Sequence, residues 1–315
     1  MSILKRLKID KKPDSFEQRM TELQGIGYDT KLIAQPVKQV SDKLESGVRS
    51  LVVYGEPQSG KTEFMIALVC KLLDLGRQTI FVVMNDNTEL ETQNFRRFKI
   101  ANQLNPSPTN YSEFHDLDDK NRRSGEQRVI FCRKNASVLK EMVKDARFLE
   151  DRVLIDDEAD YASPNTKVNK SELSKINELV GKLGQLKDSE SGVYIGVTAT
   201  PGRLDLNNTF HNDAKEWVFL KPPKEYRGRS YFFPLTKEDT NNSDYTLVKL
   251  PENGDDPKHL KEAFLRYLVK VAILNLRPPT GGDQKAYSML IHTDGKIAAH
   301  DSDKRQIQKI ISVIK

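Results

Sequence analysis

The segment that decides the fold is Gly55-Glu-Pro-Gln-Ser-Gly60-Lys61-Thr62, which lies between the apolar run Leu51–Tyr54 and an amphipathic stretch from Phe64 to Leu75. It fits G-x-x-x-x-G-K-[ST], a pattern that is specific when a strand precedes it and a helix follows it. The glycines permit a tight turn, and its N–H groups and the helix N-terminus attract phosphate oxygens. We therefore predict a phosphate-binding loop. The alternative is a glycine-rich turn with a chance lysine.

Every residue of this loop is a predicted nucleotide ligand. Lys61 is expected to reach the β and γ phosphates, and the Thr62 hydroxyl is expected to bind Mg²⁺. ATP and Mg²⁺ are therefore the predicted cofactors. The loop residues expected to bind the nucleotide are Gly55, Glu56, Pro57, Gln58, Ser59, Gly60, Lys61 and Thr62.

Strand and helix patterns alternate on both sides of the loop. Short apolar runs predict strands, and amphipathic spacing between them predicts helices. Helices that alternate with buried strands imply a parallel sheet covered on both faces. The predicted strands are 50–54, 79–84, 128–132, 152–155 and 192–197, and the predicted helices are 33–44, 64–75, 136–146 and 171–186.

A run of acidic residues, Asp156-Asp-Glu-Ala-Asp160, ends the predicted strand that begins at Arg152. Ligands of open α/β sheets gather at the carboxyl ends of the strands. Asp157 is the predicted Mg²⁺ ligand and Glu158 the predicted base that orients water, because phosphoryl transfer needs charge neutralisation and an aligned nucleophile. A solvated acidic loop is the alternative, and the phosphate-binding loop favours the site.

A third segment, Thr198-Ala-Thr200-Pro201, ends the next predicted strand. The order Gly-Lys-Thr, Asp-Glu-Ala-Asp, Thr-Ala-Thr resembles the first lobe of a superfamily 2 helicase. The resemblance implies a RecA-like P-loop NTPase lobe, in which the Thr-Ala-Thr segment couples the nucleotide site to nucleic acid. It implies a catalytic role for Thr200 and a contact between this segment and Asp160. It also implies that Gln35 reads adenine, although a solvated helix glutamine is the alternative.

A closer resemblance covers about residues 51–292. The stretches that carry it are 58–62, Lys134-Asn-Ala-Ser-Val-Leu-Lys140, 155–160, 197–201, Lys221-Pro-Pro-Lys-Glu-Tyr226 and Ser288-Met-Leu-Ile-His292. Together they are similar to the Z1 domain, a family of helicase-like endonucleases of bacterial and phage systems. This resemblance implies a role on DNA rather than RNA. No nuclease site is visible in the sequence.

The chain is predicted to contain three regions. Residues 1–48 form a helical lead-in, 49–235 the ATPase lobe, and 236–315 a linker, a helix and the start of a second α/β unit. The last region contains a polar linker at 236–257, a helix at 258–276, a strand at 287–292 and a helix at 304–314. With 50 basic and 45 acidic residues the net charge is only +5, so composition alone does not indicate a nucleic-acid partner.

The start of the chain lacks a signal-peptide pattern, and the apolar runs are far shorter than the roughly 20 residues of a membrane span. We therefore expect a cytoplasmic protein without a membrane partner. The two cysteines lie in apolar stretches, which excludes a disulfide framework.

Superfamily 2 motors carry an arginine finger on a second lobe, and nothing after His292 supplies one. Gly202-Arg203 and Arg227-Gly-Arg229 lie too early in the chain. We therefore expect the chain to be part of a longer protein in which a second lobe or a partner provides the arginine. The leading hypothesis is a Mg²⁺-dependent ATPase. Its rivals are a nucleotide-gated binding module with little turnover and, more remotely, a small-molecule kinase.

Two further groups are weaker candidates. Asn85-Asp-Asn-Thr88, with Thr92 and Gln93, follows a strand at a position where helicases contact the nucleic-acid backbone. Arg96, Arg97 and Lys99 could add phosphate contacts, although a charged surface helix is the alternative.

Overall fold

The structure is a computed structural model that divides into two compact units, residues 1–233 and 234–315. The residues that it describes are 14–86, 88–160, 175–185, 192–200, 216–228, 256–276, 286–291 and 297–314. No helix among these residues is both long and apolar enough to cross a membrane.

The first unit is built on a seven-stranded sheet in which every described pairing is parallel. The strand order is β3-β4-β2-β5-β6-β1-β7. The strands are β1 (Ser50–Gly55), β2 (Thr79–Met84), β3 (Thr109–Asn110), β4 (Arg128–Arg133), β5 (Arg152–Asp157), β6 (Val193–Thr198) and β7 (Trp217–Leu220). Because β5, β6 and β1 are neighbours, their carboxyl ends meet at one edge of the sheet.

Helices cover both faces of this sheet. They are α1 (Ser15–Gly25), α2 (Lys31–Glu45), α3 (Lys61–Asp74), α4 (Thr88–Ile100), α5 (Tyr111–His115), α6 (Asp119–Arg122), α7 (Ala136–Asp145) and α8 (Lys175–Gly184). One apolar cluster unites α2, α3 and Phe98 of α4 with the sheet, and a second unites α5, α7 and α8 with it. The predicted α/β class with a central parallel sheet covered by helices is confirmed.

Local chemistry explains where several of these helices begin. The Asn110 side chain accepts from the Glu113 N–H, and the Glu113 side chain accepts from the Asn110 N–H, which forms a capping box at α5. Asn135 caps α7 by accepting from the backbone of Ser137 and Val138. These caps fix the α5 and α7 starts beside β3 and β4.

Several elements of the first unit, including β3, α5 and α6, were not predicted from the sequence, and α1 lies in the predicted lead-in. The N–H groups of Ser15 and Phe16 both donate to the Asp74 carboxylate at 2.9 Å, and Leu23 is buried. The helix α1 is thereby docked along α3, since an acidic side chain at a helix N-terminus satisfies its free N–H groups.

The second unit contains α9 (Pro257–Leu276) and α10 (Ile297–Ile314). The predicted helix at 258–276 is confirmed, and the one at 304–314 is longer than expected. The strand predicted from Tyr287 is wrong over residues 287–291, which have no regular secondary structure. A strand needs a paired neighbour, and none of the described segments of this unit is a strand. His292 and most of the predicted linker lie outside the described residues.

Candidate nucleotide-binding site

The phosphate-binding loop joins β1 to α3 in a conformation that requires its two glycines. Gly60 has φ +97°, a left-handed conformation that favours glycine. A Cβ atom on Gly55 would lie 2.8 Å from Ser59 Oγ and 3.1 Å from Lys61 Cγ. The loop is therefore closed so tightly that a side chain at Gly55 would displace Ser59 or Lys61.

The Lys61 ammonium is folded back onto this loop. Its Nζ donates to the carbonyls of Gly55 at 3.2 Å and Glu56 at 3.0 Å. Burial lowers the pKa of Lys61, and the carboxylates of Asp157, Glu158 and Asp160 oppose that shift. The carboxylates and the lysine are thus electrostatically coupled, as expected for a site that balances phosphate and metal charges.

Asp157 ends β5 with a carboxyl group that is costly to ionise. Burial raises its pKa to about 6, and the neighbouring Glu158 contributes to the rise, while Lys134 and Lys61 oppose it. Its Oδ1 accepts from the Glu158 N–H at 3.1 Å. One carboxylate and one hydroxyl, from Asp157 and Thr62, are donors that suit Mg²⁺, which usually takes its remaining ligands from water and substrate phosphates.

Glu158 follows β5 in the left-handed region, with φ +51°. This conformation costs a non-glycine residue roughly 1–2 kcal/mol, so surrounding contacts must hold it. The Lys134 Nζ donates to the Glu158 carbonyl at 2.8 Å, and the Asn85 amide donates to its Oε2. Asn85, considered above for the nucleic-acid backbone, instead contacts the predicted base.

The Thr-Ala-Thr segment and the acidic segment are joined through Asp160. The Thr198 hydroxyl donates to Asp160 Oδ1 at 2.6 Å, and the Thr200 hydroxyl donates to Oδ2. The Thr200 N–H donates to Thr198 Oγ1 at 3.0 Å. The contact implied by the helicase resemblance is therefore present, and it links the ends of β5 and β6.

These segments converge on one cavity of about 1150 Å³. Of the predicted site residues, Pro57, Gln58, Gly60, Lys61, Thr62, Glu158 and Thr200 line it. Gly55, Glu56, Ser59 and Asp157 are not among its lining residues, although Asp157 interacts electrostatically with both Lys61 and Glu158. Gln35 is exposed on α2 and does not line the cavity, so its adenine role stays a prediction.

The other walls of the cavity come from residues that were not predicted to bind the nucleotide, although Gln93 and Arg97 were candidates for nucleic-acid contacts. From α1 and the turn after it come Arg19 and Tyr28, and from α4 come Gln93, Asn94, Arg97 and Ile100. Arg19 makes a two-pronged ion pair with Glu63, with Nε–Oε1 at 2.8 Å and NH2–Oε2 at 2.7 Å. The only available signal was an arginine at helical spacing from Leu23, which does not identify a tertiary partner.

The remaining candidates differ in where they lie relative to the cavity. Arg227 is exposed, whereas Pro201, Gly202, Arg203 and Arg229 lie outside the described residues. Arg97 is exposed at the cavity wall, on the helix that was considered for phosphate contacts.

One family model matches most of the first unit. A family model described as "Type III restriction enzyme, res subunit" matches residues 33–203, more than half of the chain. No curated protein matches. Among solved structures, the chain is similar to the crystal structure of the Pyrococcus furiosus Hef helicase domain, with 15% identity and a TM-score of 0.42. The match covers 79% of this chain and 50% of that one, so the chain spans about half the length of that structure.

The family model spans the phosphate-binding loop, the acidic segment and the Thr-Ala-Thr segment in their observed order. It supports the predicted superfamily 2 helicase-like lobe, and the closer resemblance to the Z1 domain stays a prediction. The chain belongs to the family of type III restriction enzyme res subunits.

Proposed function

We propose that the chain is a Mg²⁺-dependent ATPase of the superfamily 2 helicase type that acts on DNA. The observation that carries the proposal is the convergence of the phosphate-binding loop, Glu158 and Thr200 on one cavity. The loop amides and Lys61 would bind the phosphates, and Thr62 and Asp157 would hold Mg²⁺. The bound ion supplies charge neutralisation for the phosphoryl group when present.

In this proposal Glu158 acts as the base that orients and activates the attacking water. Glu158 lines the same cavity as Lys61, the residue that would bind the terminal phosphate. Thr198, Thr200 and Asp160 would transmit the state of the nucleotide to the nucleic-acid face through their hydrogen bonds. A role in a Z1-type nuclease system of phage or defence is part of the same proposal.

ATP binding is tested with Lys61→Ala. We expect ATP affinity, measured by calorimetry with Mg²⁺, to fall by about 10-fold or more, because a hydrogen bond to a charged group contributes about 1.5–3 kcal/mol. Lys38→Ala is the matched control, since the Lys38 side chain is 73% exposed on α2 and pairs with Asp42. Equal ATP affinity for wild type and Lys61→Ala would contradict the proposal.

Hydrolysis is tested with Glu158→Gln. This variant keeps the size of the side chain and removes the base, so ATP should still bind while turnover falls by about 10²–10⁴-fold. Phosphate release under single-turnover conditions and ATP affinity measured on the same preparation separate the two effects. A variant that hydrolyses ATP as fast as wild type would exclude Glu158 as the base.

A nucleotide-gated binding module is the second candidate function. It is favoured by the ion pair of Arg19 with Glu63, which engages one of the two arginines that line the cavity in the described part of the chain. A switch would bind ATP and change its DNA affinity with little turnover. Equal DNA affinity with and without ATP, together with measurable hydrolysis, would leave only the ATPase.

A further inference from the structure

Three side chains form a buried polar cluster beneath the acidic segment. Lys134, Asp156 and Tyr194 lie at the end of β4, in β5 and in β6, respectively. The Lys134 and Asp156 side chains are both 0% exposed, with Nζ 2.7 Å from Oδ1, and the Tyr194 hydroxyl donates to Asp156 Oδ2 at 2.8 Å. Each carboxylate oxygen therefore has a close partner.

The Lys134 side chain extends across the sheet to contact Asp156. The strand β2 lies between β4 and β5, so Lys134 passes the end of β2, where its N–H donates to the Met84 carbonyl at 2.8 Å. On the other side, a Cβ atom on Gly196 would lie 3.2 Å from the Tyr194 hydroxyl. The glycine thus leaves room for the Tyr194 ring beside Asp156.

Stability alone does not account for such a cluster. Two charges removed from water lose hydration that their attraction only partly restores, and apolar residues of similar volume often give an equally stable core. A further contact indicates why a charged lysine is buried here. The Lys134 Nζ also donates to the Glu158 carbonyl at 2.8 Å.

That carbonyl belongs to a residue whose backbone must be held. Glu158 has φ +51°, and the next residue, Ala159, donates its N–H to the Val197 carbonyl at 3.0 Å. Both contacts hold the same peptide unit, the one between Glu158 and Ala159: Lys134 binds its carbonyl, and the Val197 carbonyl of β6 accepts from its N–H. Glu158 lines the cavity from this anchored position.

We propose that Lys134 is a positioning residue for the hydrolytic reaction: its ammonium, fixed by Asp156 and Tyr194, holds the Glu158 backbone so that the carboxylate faces the phosphate-binding loop. The inference rests on the proposed ATPase function. Lys134 lies behind the acidic segment and does not line the cavity, so it acts through Glu158 rather than on the nucleotide.

The test uses the full chain and replaces the cluster without leaving an uncompensated charge. Lys134→Met alone would strand the buried Asp156 carboxylate and endanger folding. The main variant therefore combines Lys134→Met, Asp156→Leu and Tyr194→Phe, which keeps an apolar core and removes the donor to Glu158. Thermal melting and circular dichroism establish that it folds.

We expect the triple variant to bind ATP within about threefold of wild type while its single-turnover hydrolysis falls about 10-fold or more, because the phosphate-binding loop is kept and the anchor of the base is lost. Hydrogen exchange over residues 157–160 should accelerate by a similar factor, and exchange over β1 should not. Arg77→Met is the matched control. It removes the basic partner of Asp151 at the opposite end of β5 and should change neither hydrolysis nor exchange at 157–160.

Unchanged exchange at 157–160 in the folded triple variant would overturn the inference, whatever the protein does with ATP. Accelerated exchange with wild-type hydrolysis would also overturn it, because the anchor would then have no bearing on the base. If wild type does not hydrolyse ATP, the ATPase proposal is overturned, and so is the positioning role of Lys134 in hydrolysis.

Discussion

At the scale of single residues, Asp157 shows how a functional site can oppose stability. Its pKa in the folded protein is about 6, above the ordinary value of 3.8, because of burial and the neighbouring Glu158. The folded state therefore binds this proton more tightly than the unfolded chain does. Ionisation of Asp157 destabilises the folded protein at neutral pH, and the cost fades as the pH falls through 6 toward 4.

We accordingly predict that Asp157→Asn stabilises the nucleotide-free protein. The gain should be on the order of 1–3 kcal/mol at pH 7.5 and roughly half of that at pH 5. Urea unfolding at the two pH values measures it, with Asp42→Asn on the exposed face of α2 as the control that should change little at either pH. The same variant should lose Mg²⁺-dependent hydrolysis. A loss of stability at pH 7.5 would contradict the prediction.

Residues with a local signature were predictable, and those defined by tertiary partners were not. Lys61, Thr62, Asp157 and Glu158 follow from short motifs at strand ends. The contact of Lys134 with Asp156 does not follow from a short motif. One signal for it was present, because Asp156 lies inside an apolar strand, where a buried carboxylate needs a partner. The sequence shows that need without showing which residue meets it.

At the scale of elements, polar contacts attach α1 to both ends of α3, the helix that follows the phosphate-binding loop. Its N-terminus rests on the Asp74 carboxylate at the end of α3, and Arg19 pairs with Glu63 near the start of α3. Because Arg19 and Tyr28 line the cavity, docking of α1 shapes one wall of the nucleotide site.

We predict that Asp74→Ala loosens α1 without unfolding the sheet. The loss of stability should be about 0.5–2 kcal/mol, the usual contribution of a side chain that satisfies helix N–H groups. Hydrogen exchange over residues 15–25 should become faster, while exchange over β1 stays slow. Asp42→Ala is the control, because its carboxylate pairs only with an exposed lysine among the described contacts. Unchanged exchange over 15–25 would contradict the prediction, because Asp74 would then make no contribution to docking.

The alternation of strands and helices made the sheet predictable, because apolar runs and helical spacing are local patterns. The weaker elements were not predictable in the same way. The strand β3 has two residues, and α4 carries mostly polar residues around Phe95 and Phe98, whose rings meet Phe131 of β4. Such elements are stabilised by contacts that only the assembled sheet provides.

At the scale of the whole molecule, the expected rate of hydrolysis depends on whether a free arginine can reach the transferred phosphoryl group. An arginine finger typically contributes about 10³–10⁵ to the rate of phosphoryl transfer. In the described part of the chain, Arg19 and Arg97 line the cavity, and Arg19 is engaged by Glu63. We therefore predict that this chain alone binds ATP, hydrolyses it slowly and does not unwind DNA.

The deciding measurement is steady-state phosphate release from residues 1–315 with and without DNA, with DNA affinity followed across a salt series. Binding should weaken markedly with salt, because phosphate contacts release counterions. A partner or a longer chain that supplies the arginine should raise turnover by orders of magnitude. Rapid, DNA-stimulated turnover by this chain alone would contradict the prediction. It would then assign the arginine to this chain, and Arg97→Ala would separate Arg97 from Arg203, Arg227 and Arg229 as its source.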